Sequence, residues 1–93
     1  MIRPFADRET ERVHQREVSR RLPGDVQAAA LRKLRMLANA RELRDLRSPP
    51  GNRLERLSGD RVDQYSVRIN DQWRLCFVWR DGDAFDVEIV DYH

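Results

Sequence analysis

Five residues in the C-terminal third of the chain are of types that can cleave RNA: Arg68, Arg74, Asp91, Tyr92 and His93. Cleavage without a metal needs a base for the ribose 2′-OH, an acid for the leaving 5′-oxygen and cations to stabilise the phosphorane between them. Histidine carries protons near neutral pH, and the planar guanidinium group matches phosphate. A tyrosine can stack on a base or orient the phosphate. Together these residues indicate RNA cleavage if the fold brings them to one place.

Three segments with alternating apolar and polar residues can bring them together. Apolar residues alternate over 65–69, 73–79 and 85–89, with loops at 70–72 and 81–83. This pattern predicts three strands of an antiparallel meander, each with one buried face. Trp73 and Trp79 fall on the buried face and are interpreted as packing residues.

The register of the first hairpin follows from keeping apolar faces together, because a one-residue slip would turn each of them to water. Placing Ile69 beside Trp73 and Val67 beside Leu75 sets Arg68 directly opposite Arg74. Opposed like charges destabilise a sheet, so the pair suggests that an anion binds between them. The alternative is that two solvated arginines splay apart.

The second hairpin extends this prediction to the end of the chain. Keeping Trp79 beside Phe85 and Phe77 beside Val87 places Leu75 opposite Ile89, and Val90 beside Arg74. Asp91, Tyr92 and His93 then continue next to the two arginines. The alternative is a frayed C-terminal tail with no role.

Helices are predicted before the sheet. Residues 1–5 suggest a short strand and 8–20 a polar helix. Asp25 is the predicted N-cap of an amphipathic helix. The apolar stripe of this helix consists of Val26, Ala30, Leu34 and Leu37. Leu43 and Leu46 extend the apolar pattern by a turn or two. The segment 48–51, Ser-Pro-Pro-Gly, ends it, and 54–57 suggests another short strand. The fold class is therefore α+β, a small antiparallel sheet with N-terminal helices packed on one face.

Composition narrows the possible functions. A chain of 93 residues predicts a single domain over 1–93, and the absence of a long apolar run or leader predicts a cytoplasmic protein that does not contact membranes. Residues 1–58 carry a net charge of +6 and residues 59–93 a net charge of −4. His14, His93 and the lone Cys76 have no zinc-binding spacing, and Gly-rich phosphate loops are absent, so we expect neither metal nor cofactor. The excess of arginine favours an anionic partner.

The chain resembles the HigB branch of the RelE/ParE toxin superfamily, closest to its HigB/GraT-like members. The resemblance lies in three runs: 42–55 (ELRDLRSPPGNRLE), 65–77 (YSVRINDQWRLCF) and 87–93 (VEIVDYH), and the first five residues fit as well. It covers nearly all of the chain after about residue 25. Arginines on a hairpin combined with a terminal Asp-Tyr-His make the resemblance specific.

The resemblance implies a microbial-RNase-like α+β fold and ribosome-dependent cleavage of messenger RNA in the A site. It also implies neutralisation by a HigA-type helix-turn-helix antitoxin, through which the complex binds its own operator DNA. By position in the motifs, Arg68 and Arg74 match the family's phosphate-contacting arginines. Asp91, Tyr92 and His93 match its catalytic C-terminal residues.

The second strand departs from the family pattern, because Glu55 and Ser58 stand where some members have a histidine and a lysine. Glu55 is an auxiliary candidate as a base or orienting carboxylate, or it only pairs with Arg53 or Arg56. Arg53, Arg56 and Arg61 are predicted to contact RNA. Two other functions stay open: a non-catalytic module that binds RNA or the ribosome, and a ParE-like inhibitor of gyrase.

Overall fold

The computed structural model describes residues 24–47, 50–57 and 64–91 of the chain. They form one α-helix, α1 (Gly24–Asn39), and two short 3₁₀ helices, Leu43–Arg47 and Pro50–Asn52. Four strands follow: β1 (Glu55–Arg56), β2 (Gln64–Arg68), β3 (Trp73–Arg80) and β4 (Asp83–Asp91), which form an antiparallel sheet in the order β1-β2-β3-β4. The predicted α+β class is confirmed. The strand predicted at 1–5 and the helix predicted at 8–20 lie outside the described residues.

Helix α1 packs against one face of the sheet through the apolar stripe predicted for it. Val26, Ala30, Leu34 and Leu37 are all buried. They meet a set of buried strand residues, namely Val67, Leu75, Phe77, Ala84 and Val87. The prediction of Asp25 as N-cap is wrong, because the helix already includes Gly24; Asp25 lies in the first turn, where its charge interacts favourably with the helix dipole. No helix within the described ranges is long and apolar enough to cross a membrane.

The predicted extension of α1 through Leu43 and Leu46 is wrong. The helix ends at Asn39, and Leu43–Arg47 is a separate 3₁₀ helix. The carboxylate of Asp45 accepts hydrogen bonds from the backbone N–H groups of Arg41 (3.1 Å) and Glu42 (3.0 Å). These N–H groups therefore bond to a side chain instead of continuing the helix, although Leu46 still reaches the core.

The β2–β3 hairpin has the predicted register, with Val67 opposite Leu75 and Arg68 opposite Arg74. The Asn70 side chain closes its turn by accepting hydrogen bonds from the backbone N–H groups of Gln72 and Trp73, at 2.9 and 2.8 Å. Because the turn holds the strand ends in register, it fixes the position of both arginines.

The turn between β3 and β4 is shorter than predicted, because Asp83 belongs to β4. Asp81 and Gly82 both have positive φ angles, 52° and 82°, as the favoured two-residue hairpin turn requires. A Cβ at position 82 would also lie 3.3 Å from the carbonyl oxygen of Arg41. Glycine therefore serves both the conformation and the close approach of the neighbouring loop.

A β-bulge in β4 overturns part of the predicted register of this hairpin. Leu75 pairs with Ile89 and Arg74 with Val90, as predicted, but Trp79 pairs with Ala84 rather than with Phe85. The register shifts between Cys76 and Val78, where Asp86 has a φ of 50°. Because side chains alternate along a strand, the extra residue in β4 turns the residues between the bulge and the β3–β4 turn to the face opposite to the predicted one. Ala84 is therefore in the core, and Phe85 pairs with Val78 on the opposite face.

Candidate active site

Arg68 and Arg74 lie side by side on the face of the sheet opposite to the α1 core. They are directly paired across β2 and β3, so their side chains leave the same face. Both line a mostly polar cleft of about 250 Å³, together with Arg53, Glu55, Asn70 and Asp71. The opposed arginine pair predicted from the pattern is therefore a feature of the fold.

Arg74 is the buried and fixed member of the pair, with only 10 % of its side chain exposed. Its Nε donates to the Oγ of Ser66 (2.8 Å), and its Nη2 donates to the carbonyl oxygens of Arg53 (2.6 Å) and Ser66 (3.3 Å). The carboxylate of Glu55 completes the set at 3.8 Å from Nη2. Strands β1 and β2, together with Arg53 just before β1, therefore hold one guanidinium group in a single orientation.

Arg68 is the accessible member. A third of its side chain is exposed, and its Nη2 forms an ion pair with the carboxylate of Asp71, which is almost entirely in solvent. An exposed pair of this kind has a small net free energy, because water and salt compete with it. An incoming phosphate can thus replace Asp71 as the partner of Arg68 at little cost.

Glu55 and Arg53 reach the cleft in different ways. The carboxylate of Glu55 is half-exposed and pairs with Arg74, rather than with Arg53 or Arg56 as the sequence suggested. Arg53 contributes its carbonyl oxygen to Arg74 as well as lining the cleft, and it has a φ of 45°, uncommon for a residue with a Cβ. That backbone conformation places its carbonyl at the buried arginine.

Asp91 does not line the cleft. It pairs with Trp73 across β3 and β4, one position beyond the Arg74–Val90 pair, so alternation points it to the other face. Its carboxylate accepts a hydrogen bond of 3.1 Å from Nε2 of Gln72. Tyr92 and His93 lie outside the described residues, and their convergence on the arginines stays a prediction.

Arg56 is also separated from the cleft. It follows Glu55 on β1 and pairs with Tyr65, so its side chain lies on the opposite face of the sheet. Arg61 lies outside the described residues. Of the three arginines predicted to contact RNA, only Arg53 is placed at the cleft.

Lys33 adds positive charge near Arg68, a feature that sequence reasoning missed. Its Nζ donates to Oδ1 of the buried Asn52 at 2.5 Å. Burial lowers its pKa, and the charges of Arg32 and Arg68 lower it further. The helical stripe indicated only that this residue lies off the buried face of α1.

Sequence reasoning also missed the role of Ser66 as an acceptor for Arg74, although its position in the predicted hairpin indicates that role. It lies two residues before Arg68 on the same face of β2, opposite Glu55 on one side and Cys76 on the other. A small hydroxyl diagonal to a buried arginine is a ready acceptor. Ser66 is fully buried, so its hydroxyl serves Arg74 and not the substrate.

The arrangement can hold a phosphate between one fixed and one replaceable guanidinium group. Among the described residues that line the cleft, Glu55 contributes a carboxylate 3.8 Å from the fixed arginine. Within the described ranges, no group of three His, Cys, Asp or Glu side chains is placed to hold a metal ion. The cleft therefore offers cations and a carboxylate for proton transfer or orientation.

Comparison with known proteins agrees with this chemistry. A family model described as the RelE-like toxin of the type II toxin–antitoxin system HigB matches residues 3–93. The chain is 40% identical over 87 residues to Toxin HigB-1 of Vibrio cholerae, covering 92% of each chain. It is 37% identical over 41 residues to Endoribonuclease HigB of Proteus vulgaris, covering 44% of this chain and 45% of that one. An uncharacterized protein of Haemophilus influenzae is 34% identical over 64 residues, covering 69% and 63%.

Proposed function

The chain belongs to the HigB-like family of RelE-like toxins and is the toxin of a type II toxin–antitoxin system, and we propose that it cleaves messenger RNA on the ribosome. The endoribonuclease activity is the one named for the Proteus vulgaris relative. The observation that carries the proposal is the opposed pair of Arg68 and Arg74 at a polar cleft. Such a pair costs free energy unless an anion or a network of acceptors compensates it.

The two arginines divide the work of binding the scissile phosphate. Arg74 cannot turn away from the cleft, because Ser66, Arg53 and Glu55 hold it. Donors fixed before the reaction stabilise the developing charge without reorganisation. Arg68 exchanges Asp71 for a phosphate oxygen as the RNA enters.

The proposed reaction is a transphosphorylation. A base removes the proton of the ribose 2′-OH, the 2′-oxygen bonds to the adjacent phosphorus, and the bond from phosphorus to the 5′-oxygen breaks. An acid protonates that leaving oxygen. The products are a 2′,3′-cyclic phosphate and a 5′-hydroxyl, and no metal takes part.

Proton transfer is assigned to the C-terminal residues with help from Glu55. His93 is the proposed acid or base and Tyr92 the residue that orients the phosphate, while Asp91, at the end of β4 on the other face of the sheet, is proposed to position the two residues that follow it. Glu55 contacts Arg74 at 3.8 Å and its carboxylate is half-exposed, which supports a role as an orienting carboxylate or as the base.

Dependence on the ribosome is supported by the size of the cleft. About 250 Å³ accommodates little more than one nucleotide, below the usual range for ligand sites. A cleft that contacts one phosphate leaves most of an RNA strand unbound, so we infer that the ribosome supplies the remaining binding free energy by holding the message in the A site. The proposed partners are thus the ribosome, its messenger RNA and a HigA-type antitoxin that brings the complex to operator DNA, all in the cytoplasm.

The test is to induce the toxin and three variants in cells and to sequence the 5′-ends of messenger RNA. We expect the wild type to produce new cuts in translated frames. Arg68→Ala and His93→Ala should abolish them, whereas Arg32→Ala, an exposed arginine on α1, should leave them unchanged. Loss of one charge-stabilising donor costs about 100-fold or more in rate.

Each other outcome redirects the proposal. Growth arrest without cuts would contradict nuclease activity, and a DNA-damage response in its place would favour gyrase inhibition. Cuts that persist in His93→Ala would support nuclease activity but assign the proton transfer to Glu55 instead of His93. The variant Glu55→Gln tests that assignment. Cuts that leave a 5′-phosphate in place of a 5′-hydroxyl would contradict the proposed transphosphorylation.

A further inference from the structure

A second cavity lies at the other face of edge strand β1. This groove of about 370 Å³ is lined by three arginines, two leucines and a tyrosine, namely Leu43, Arg44, Arg47, Leu54, Arg56 and Tyr65. Arg56 and Tyr65 pair across β1 and β2, so both side chains lie on the face away from the candidate active site. We call it the Arg56 groove.

The wall of the groove is held in place by contacts within the toxin itself. Its 3₁₀ helix, Leu43–Arg47, is capped by the Asp45 carboxylate and anchored through the buried Leu46. The fully buried Asn52 donates to the carbonyl oxygen of Leu46 at 3.0 Å and thereby ties this helix to the next one. A preformed groove spends little conformational entropy on binding.

The arginines of the groove lack enough acidic partners. Arg44 pairs with Glu42 at 2.6 Å, but Arg47 and Arg56 are exposed and make no ion pair within the described part of the chain. The two guanidinium groups lie beside leucine side chains, and no described acidic residue neutralises their positive charge. A ligand with at least two carboxylates or phosphates would match it.

The floor of the groove favours a protein over RNA. Leu43 and Leu54 are aliphatic, and the one aromatic ring, Tyr65, already packs on Phe77 with a centroid distance of 6.3 Å. Stacking sites for bases are built from aromatic faces, whereas a leucine floor accepts an apolar side chain. The active-site cleft has the opposite character, because the described residues that line it are all polar or charged.

We propose that the Arg56 groove binds a segment of the antitoxin protein in which an apolar side chain is flanked by carboxylates. The apolar side chain would contact Leu43, Leu54 and Tyr65, and the carboxylates would pair with Arg47 and Arg56. The inference rests on the toxin–antitoxin family of the chain and not on its nuclease activity. A protein antitoxin is the partner that such a toxin must recognise.

The position of the groove has a consequence for inhibition. Glu55 and Arg56 are neighbours on a two-residue strand, with Glu55 on the active-site cleft and Arg56 on the groove. The antitoxin segment therefore docks behind the strand that supports Arg74, and the cleft stays open to a small anion.

The test measures affinity for the full-length antitoxin encoded beside this toxin, immobilised on a sensor surface. Arg47→Glu and Arg56→Glu should each weaken binding by about tenfold or more, because each puts a carboxylate against a carboxylate. Arg32→Glu makes the same charge change on exposed α1 and should change the affinity by less than about threefold. An unchanged thermal midpoint shows that each variant is folded.

Cleavage of messenger RNA is measured on the same variants. Lower antitoxin affinity with unchanged cleavage supports the proposal. If Arg47→Glu and Arg56→Glu bind the antitoxin as tightly as Arg32→Glu does, the proposal is overturned. If their cleavage of messenger RNA falls as far as their antitoxin affinity, the groove binds RNA and the proposal is also overturned. If even the wild type cleaves no RNA, the proposed function fails while the affinities still decide the role of the groove.

Discussion

Arg68 and Arg74 show how two residues of one type, directly opposed on neighbouring strands, acquire different tasks. Arg74 is buried and donates to three oxygen acceptors within hydrogen-bond distance, with Glu55 nearby. Arg68 is partly exposed and, among the described residues, forms an ion pair with Asp71 on the adjacent turn. The network around Arg74 also explains how the sheet tolerates the opposed charges. Arg74 therefore stabilises the fold as well as lining the cleft, whereas Arg68 is accessible to a substrate phosphate.

This difference predicts unequal effects of the two alanine variants on the free energy of unfolding. Arg74→Ala leaves the hydroxyl and carbonyl oxygens of Ser66 short of a donor and should lower the free energy of unfolding by about 2–3 kcal/mol. Arg68→Ala should change it by less than about 0.5 kcal/mol, because an exposed ion pair contributes little. Urea unfolding of both variants measures the two values, and equal losses would contradict the assignment.

The sequence predicted the arginine pair but not what holds it. Alternation of Val67, Ile69, Trp73 and Leu75 was enough to set the register, since any slip exposes the apolar face. The carbonyl of Arg53 and the hydroxyl of Ser66 depend on a backbone conformation and a diagonal contact. Neither of these leaves a periodic signal in the chain.

At the scale of the elements, the bulge in β4 decides which residues reach the core. Asp86 takes the extra position with a φ of 50°, and this reverses the faces of Ala84 and Phe85. Aspartate tolerates the left-handed region better than most residues with a Cβ, and a β-branched residue tolerates it poorly.

Substitutions at Asp86 should therefore separate conformation from side-chain chemistry. Asp86→Val should lower the free energy of unfolding by about 1–2 kcal/mol, since valine is strained at this φ. Asp86→Gly, the matched control, should be neutral to slightly stabilising. Thermal denaturation of both variants gives the comparison, and a glycine variant as unstable as the valine variant would show that the side chain, not the backbone, matters here.

The first 3₁₀ helix begins where the Asp45 carboxylate accepts two backbone N–H groups. These hydrogen bonds, from Glu42 and Arg41, hold the pKa of Asp45 below its usual value. An acid with a lowered pKa in the folded state stabilises the fold at neutral pH. That contribution is lost as the pH falls through the folded pKa.

Asp45→Asn keeps an acceptor but removes the charge, so it should melt at a lower temperature than the wild type at pH 7. The difference should shrink between about pH 5 and pH 2, as Asp45 becomes protonated in the wild type. Thermal melts of both proteins across this range measure it. A difference that does not change with pH would mean that the charge of Asp45 contributes nothing to the capped turn.

Prediction of the elements succeeded where periodicity was strong and failed where a side chain or an added residue interrupted it. The stripe from Val26 to Leu37 and the alternation in β3 gave their elements to within a few residues. Leu43 and Leu46 kept the helical spacing across a real break, because Asp45 bonds the backbone there. Spacing alone does not reveal such a cap.

At the scale of the molecule, edge strand β1 separates two surfaces of different character. Glu55 faces a polar cleft that suits a phosphate, and Arg56 faces a groove with a leucine floor that suits a protein segment. The same two-residue strand also borders the network that fixes Arg74. The two proposals thus assign substrate binding and antitoxin recognition to opposite faces of one small sheet.

The core beneath these surfaces is small. We therefore expect antitoxin binding to restore a large part of the free energy of unfolding that a core substitution removes. Leu34 is fully buried between α1 and the sheet, and Leu34→Ala should lower the free energy of unfolding by about 2–5 kcal/mol. That is a large share of the roughly 5–15 kcal/mol of a typical domain. An antitoxin that binds only the folded toxin restores about 2.7 kcal/mol at a free concentration 100 times its Kd.

The Leu34→Ala variant should accordingly melt well below the wild type alone and regain much of that difference when antitoxin is added. Arg47→Glu, which leaves the core intact, should show the reverse: a normal melt alone and a smaller gain with antitoxin at the same concentration. Calorimetric melts of both variants with and without antitoxin provide the data. Equal gains for the two variants would mean that antitoxin binding does not involve the Arg56 groove, because only Arg47→Glu alters its charge.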